Sequence, residues 1–523
     1  MKSRFILAAL SCACGLGAMA QTDALRFDPD AFTRARLTMP DGQEVAYKAY
    51  EGIYYVRNVE DSTYQTLNIY VPERLADMEQ VPILLRTYVG GYAASTAKTP
   101  SASDATGRAL KEGYVVCIPG SRGNNSVVER DGTRIYTGTA PNGLLDLKAA
   151  VRYLRYNDAL IPGSSELIFT DGTSAGGAMS SLLGATGNGK EYEEYLKKMG
   201  AADARDDIFA AICYCPITDL NHADMEYEWL YSCTNSGVRH LDAEQQAISQ
   251  QLAAECPGYI NSLGLVKPDG TPITADNYSD YLKSFLIASA HRALQEGCEI
   301  ADSIGFTFYQ DKSGPMGGGP RGDMAMKQGG QRGDKAMNQG GPRPGGDGRQ
   351  APSFGPGRMP RFNKTSDFVT GLDLDKYLSY VASCTPLKTP PAFDQMGVLI
   401  DTPTPENTLF ANEKGEAANF TDFSLRKRLN NPDARLSKEM EKRVAMMNPM
   451  EYIGNDRSDV APHWYIRHGA KDRDTSFLVP INLATKLQNV GKDVDFFIPW
   501  NRPHSGDYNL DDLFSWIATT LKK

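Results

Sequence analysis

Short apolar runs alternate with amphipathic stretches over the first 215 residues of the chain. Residues 64–72 (YQTLNIYVP), 82–89 (PILLRTYV) and 114–119 (YVVCIP) are rich in β-branched and aromatic side chains and predict strands. Over 142–155, Leu144, Leu147, Val151 and Leu154 fall on one helical face. Residues 166–170 (ELIFT) form a further strand that runs directly into DGTSAGGAMSSLLG, a tight turn followed by a helix. One more apolar strand is expected near 208–215. Alternation of this kind predicts a mostly parallel sheet covered by helices on both faces.

From residue 216 to about 457 the alternation breaks. Amphipathic stretches at 241–264 and 276–297 precede a segment, Ser313 to Arg361, dominated by Gly, Pro, Met, Gln and Arg. It carries an eleven-residue repeat, RGDMAMKQGGQ from Arg321 and RGDKAMNQGGP from Arg332. So much glycine is hostile to helix, and disorder is the expectation for 313–361. The earlier pattern then resumes at 463–468 (HWYIRH), 477–489 and 494–499, and a last helix carries Leu510, Leu513, Phe514, Ile517 and Leu521 as one stripe. The domain reading is therefore a core from 21 to 215, an inserted lid domain from 216 to 457, and the remainder of the core from 458 to 523.

Residues 1–20 stand apart from this pattern. Lys2 and Arg4 precede an apolar stretch, and Ala18-Met19-Ala20 is an A-x-A cleavage site, so the segment reads as a signal peptide removed before Gln21. The expectation is export to the periplasm or the extracellular space, with lipidation at Cys12 as the competing reading. No later run is long enough for a transmembrane helix. A net charge of −9 argues against nucleic acid as a partner, because binding that polyanion relies on dense Lys and Arg. No Cys/His spacing matches a zinc site, and neither a metal nor an organic cofactor is expected.

The chemistry centres on Gly172-Thr173-Ser174-Ala175-Gly176, a G-x-S-x-G motif between a predicted strand and a predicted helix. That context is the nucleophile elbow of the α/β-hydrolase fold, where a strained turn presents the serine. Serine needs a base, and the base needs an orienting carboxylate, in the chain order Ser, Asp or Glu, His. Of the six histidines, His504 stands just past the final strand, in PWNRPHSGDY. The preceding strand ends in HGAKDRDT, which offers Asp472 and Asp474 as the acid. An oxyanion hole requires two backbone N–H groups. Ala175 follows the nucleophile, and Gly91 or Gly90 ends the strand PILLRTYV.

At these residues the chain resembles the bacterial tannases, the tannin acyl hydrolases that cleave gallate esters. The stretches that carry the likeness are NIYVPE, GTSAGGA, CPITDLNHADMEYEWLY, KTPPAFD, RHGAKDRDTS and HSGDYNLDDLFSWI. It runs from about Asp41 to the C-terminus, and the Gly/Met-rich repeat has no counterpart in it. The resemblance implies Ser174 as nucleophile, Asp472 as the triad acid and His504 as base. It further implies that Lys388, Glu406 and Asp474 hydrogen-bond the three phenolic hydroxyls of a galloyl ring. Ile217 and Pro405 are implied as the apolar covers of that ring.

The expected protein is thus an exported serine esterase that takes a small aromatic, galloyl ester as substrate. A hydroxycinnamoyl or general aryl carboxylesterase is the alternative enzyme. A polyphenol-binding or adhesion protein, with the repeat as its working part, is the alternative without catalysis.

Overall fold

The computed structural model describes residues 23–232, 239–309, 362–363 and 368–523. Residues 1–20, read above as a signal peptide, with Cys12, and the repeat of 313–361 lie outside the described residues. By its internal contacts the chain divides into two compact units, residues 1–282 with 381–523, and residues 283–380.

The first unit is built on a nine-stranded sheet. Its strands are β1 (Thr33–Thr38), β2 (Glu44–Tyr54), β3 (Thr66–Pro72), β4 (Ile83–Arg86), β5 (Val115–Pro119), β6 (Ile168–Thr173), β7 (Ala210–Tyr214), β8 (His463–Arg467) and β9 (Asp493–Phe497). Their order across the sheet is β1-β2-β3-β5-β4-β6-β7-β8-β9. From β5 to β9 every pairing is parallel, as the alternating pattern predicts. β1, β2 and β3 extend it antiparallel; β3 is the strand predicted over 64–72, whereas β1 and β2 form a hairpin edge that the apolar pattern does not announce. The reason lies in β1 itself: TRARLT is exposed or half-exposed throughout and offers no apolar run.

Central strands read as continuous apolar segments because both of their faces are covered. Val115–Pro119 and Ala210–Tyr214 are buried at every residue. The helices of this unit include α1 (Ala105–Lys111), α2 (Asn142–Tyr156), α3 (Ala175–Ala185), α4 (Leu220–Tyr231), α5 (Pro405–Leu409), α6 (Leu478–Asn489) and α7 (Leu510–Thr520). The chain leaves β4 for β5 on one side and returns to β6 on the other. Such a reversal opens a crevice at the carboxyl ends of the strands, where ligands bind in open α/β sheets.

Within residues 283–380, two short antiparallel ladders pair Ile300–Ala301 with Phe362–Asn363 and Phe306–Tyr309 with Phe368–Leu372. Phe306 packs edge-on against Tyr377 with ring centroids 5.5 Å apart. No helix of the described residues is long and apolar enough to cross a membrane.

Candidate active site

Ser174 sits between β6 and α3 with φ 62° and ψ −125°, a conformation that L-residues rarely adopt. Packing enforces it. The Ser174 N–H donates to the Tyr214 carbonyl at 2.9 Å, tying the turn to the end of β7. A Cβ on Gly172 would lie 2.2 Å from the Gly176 carbonyl oxygen, so only glycine lets strand and helix close on each other here. Ala175 is the first residue of α3, and no preceding turn supplies an acceptor for its N–H.

The loop after β9 brings His504 to this serine. His504 Nε2 is 2.8 Å from Ser174 Oγ, and Nδ1 is 2.7 Å from Asp472 Oδ2. Asp474 stands further off, its Oδ2 3.7 Å from the same ring nitrogen, and its own N–H donates to Asp472 Oδ1 at 2.8 Å. Of the two carboxylates that the loop sequence leaves open, Asp472 makes the hydrogen bond. Burial by itself would raise the Asp472 carboxyl, but the His468 and His504 imidazoles outweigh it and hold it well below the usual carboxylate range. Burial works to lower His504. The hydrogen bond and charge of Asp472 win and raise the imidazole above the ordinary histidine range.

In the loop just past β4, the consecutive N–H groups of Gly90 and Gly91 have no acceptor among the described residues. Asn124 secures this loop from behind. Its side-chain amide donates to the Gly91 carbonyl at 2.9 Å and to the Pro405 carbonyl at 3.0 Å, joining the loop to α5. Pro405 is exposed, and its Cβ would lie 4.0 Å from a Cβ built on Gly91. Ile217 is buried; its N–H points to the Ser174 carbonyl at 3.4 Å, and its carbonyl accepts from Tyr92 Oη at 2.6 Å. The two apolar residues named from the sequence thus stand at the nucleophile and the Gly90-Gly91 loop.

Lys388 and Glu406 complete the wall. Burial lowers the Lys388 ammonium and raises the Glu406 carboxyl, each against the pull of the other's charge. No ion pair closes between them. Lys388 Nζ instead lies 3.9 Å from the centre of the Phe393 ring. Its backbone is pinned, the N–H by Tyr227 Oη at 3.0 Å and the carbonyl by Arg239 at 2.7 Å. The turn that follows is organised by Asp394, fully buried and accepting from Asn407, Asn419, the Phe420 N–H, the Thr421 N–H and the Thr421 hydroxyl at 2.7–2.9 Å.

Sequence reasoning missed Asn124, Asp394 and a third support. Arg86, at the end of β4, bonds Asp171 on β6 and makes a fork to Asp507 at 2.6 and 3.1 Å. Asp507 lies three residues past His504, so this buried guanidinium anchors the histidine loop to the strands beside the nucleophile. Gly506 is required there too, since a Cβ would fall 1.9 Å from Thr173 Oγ1. The motif HSGD carried a signal for Asp507; nothing marked Asn124.

The comparisons with known proteins bear on this geometry. A tannin acyl hydrolase from Lactobacillus plantarum is 34% identical over 95% of this chain and 98% of its own, with a TM-score of 0.75. The chain belongs to the tannin acyl hydrolase family. A Fusobacterium nucleatum tannase is 34% identical over 95% of this chain and 99% of its own, with a TM-score of 0.76. A tannin acyl hydrolase solved in complex with ethyl gallate matches at 35% identity over 95% of this chain and 98% of its own, TM-score 0.76. The family model described as BD-FAE matches residues 67–261, which hold β3 to β7 and the elbow. No curated protein matches. As a member of the tannin acyl hydrolases this protein is a carboxylic ester hydrolase with an α/β-hydrolase fold.

Proposed function

We propose that the chain hydrolyses galloyl esters, of tannins and of simple alcohols, through a Ser174-His504-Asp472 triad and an acyl-enzyme. The observation that carries the triad is the unbroken hydrogen-bonded order Asp472–His504–Ser174, with the serine on a strained elbow. Ser174 Oγ attacks the ester carbonyl while His504 Nε2 takes its proton. The resulting oxyanion is held by the N–H groups of Ala175 and Gly91. Collapse expels the alcohol, which receives the proton from His504, and leaves the acyl group on Ser174. Water, deprotonated by His504, then releases the free acid and restores the serine. Asp472 orients the imidazole and stabilises its charged form.

Substrate class is supported by the wall. Three adjacent ring hydroxyls call for acceptors and a donor in one plane, with apolar cover on the faces. Glu406 and Asp474 supply acceptors, Lys388 supplies a donor, and Ile217 and Pro405 supply cover. The family relative bound to ethyl gallate supports the same reading.

The deciding experiment compares kcat/KM for methyl gallate, methyl 3,4-dihydroxybenzoate, methyl benzoate and methyl ferulate. Each buried polar group left unmet costs roughly 1–3 kcal/mol, more when charged, so gallate should lead benzoate by several orders of magnitude. The dihydroxy ester should fall between them. Ferulate should be poorest, because its methoxy group cannot donate and its longer arm misplaces the carbonyl. Equal turnover of benzoate or ferulate would sink the galloyl reading and leave the esterase. A fluorophosphonate probe that failed to label Ser174 would sink both.

A further inference from the structure

Behind the triad acid the fold gathers groups that the ester chemistry leaves largely unused. Cys215 stands one residue past β7, and its Sγ lies 3.3 Å from the carbonyl oxygen of Ser505. His468 stands one residue past β8 with its ring fully buried, and neither of its nitrogens has a hydrogen-bond partner among the described residues. Its Nδ1 is 3.6 Å from Asp472 Oδ2. Ligand atoms of Cys215, His468 and Asp472 all lie within 4.8 Å of one another. A buried imidazole without a hydrogen-bond partner at either nitrogen, beside a thiol and a carboxylate, is a costly arrangement unless something binds there.

We propose that Cys215, His468 and Asp472 form a binding site for a thiophilic divalent cation, Zn2+ or Cd2+, that switches the esterase off by drawing Asp472 away from His504. Thiolate, imidazole and carboxylate are the donor set that such ions select. The Ser505 carbonyl beside the sulfur offers a further oxygen. On binding, the Cys215 thiol gives its proton to solvent and its sulfur bonds the ion. His468 donates a nitrogen lone pair, and Asp472 donates a carboxylate oxygen; nothing is oxidised or reduced. The oxygen that bonds the ion is then lost as the acceptor for His504 Nδ1, so the base loses its orientation. Residues 504–507, which lie over Cys215, are half-exposed, so the ion enters by opening this loop and the onset is slow.

The inhibition rests on the triad role given to Asp472, whereas the binding does not, and the test separates them. Cys298 and Cys384 are exposed, so the full chain carries Ser at both, and at Cys12, Cys14 and Cys233, to remove competing thiols. It is incubated with Cd2+, and three quantities are read: bound Cd2+ by equilibrium dialysis, the ultraviolet thiolate-to-cadmium charge-transfer band, and residual hydrolysis of methyl gallate. One Cd2+ per chain, the band, and slow loss of turnover reversed by a chelator are expected. C215A and H468N, each first shown to melt cooperatively, should abolish the band. Either should raise the inhibitory concentration about 10- to 100-fold relative to its own uninhibited rate. Either variant alone suffices if the other does not fold. Absence of the band overturns the site. Immediate inhibition that survives C215A overturns it too, by placing the ion on Asp472, Asp474 and His504, the other such group among the described residues. A band with undiminished turnover overturns the switch, and the triad role of Asp472 is judged separately by the loss that Asp472→Asn causes on methyl benzoate.

Discussion

At the carboxyl edge of the sheet, Ser174, His504 and Asp472 are closed into a chain of hydrogen bonds, whereas Lys388 and Glu406 of the wall keep their charges apart. The triad satisfies itself: each polar atom that reacts has a partner at 2.7–2.8 Å within the chain. Lys388 and Glu406 do not pair, although each shifts the other's proton affinity. Held backbones explain how they stay in place. Tyr227 and Arg239 fix the main chain at Lys388, and the Asp394 knot fixes the turn between Lys388 and Glu406. One region is preorganised for chemistry that any ester can enter. The other is preorganised for a ligand that brings its own hydrogen-bonding groups.

The largest effect is expected from breaking the closed chain. Ser174→Ala and His504→Ala should each lower kcat by about 10^4- to 10^6-fold on methyl gallate and methyl benzoate alike, since nucleophile and base act as a unit. Steady-state or single-turnover rates on both esters check this. A loss confined to gallate would place either residue in the wall instead.

Next in size is the division between the two carboxylates. Asp472→Asn should cost about 10^4-fold on methyl benzoate, because the amide cannot hold the imidazole in its working orientation. Asp474→Asn should be nearly silent on that ester and weaken gallate turnover. The reverse ranking would move the triad acid to Asp474.

Opening the wall should be milder and selective. Lys388→Ala and Glu406→Ala should each erode the gallate-over-benzoate ratio by about 10- to 100-fold, the equivalent of one charged hydrogen bond. Benzoate turnover should change little. Equal losses on both esters would mean that these residues support the fold rather than the ring.

A finer measurement is the acid limb of kcat/KM. Catalysis needs neutral His504, and the folded imidazole is raised above the ordinary histidine value of about 6.5. The proton is therefore retained to higher pH, and the limb should inflect above that value. Asp474 also raises His504, so Asp474→Asn should move the inflection down. An inflection that stayed put would show that Asp474 does not act on the base.

The smallest effect is expected furthest from both regions. Replacing residues 315–360 by a short Gly/Ser linker should leave melting and methyl gallate hydrolysis nearly unchanged, because loop length alters closure entropy only slowly. Lost turnover in a variant that still melts cooperatively would tie the repeat to the active site.

Much of this was legible in the chain, and the exceptions have physical causes. The central parallel strands announced themselves because both faces are buried, so β5, β6 and β7 read as apolar runs. β1 was silent because its residues remain largely in solvent. Ser174 was visible because its turn demands small neighbours at Gly172, Ala175 and Gly176, a local steric requirement written within five residues. His504 was visible through its place after the last strand. By contrast, Asn124 bridges two carbonyls from residues 33 and 281 positions away. No local pattern records such a contact.

Local sterics and burial periodicity act over a few residues, and so the sequence by itself determined the strands of the sheet's parallel part, the elbow and the chain order of the reacting groups. Asp472 and Asp474 are near-equivalent in that local code, two residues apart in a polar loop. Only the tertiary structure decided between them, because a hydrogen bond to His504 depends on how two loops from different strands pack. The same holds for the Arg86 fork, the Asp394 knot and the meeting of Cys215 with His468. Each brings together residues far apart in the chain, and distance in space between such residues is set by the packing of the whole sheet and its insertion, not by any neighbour in sequence.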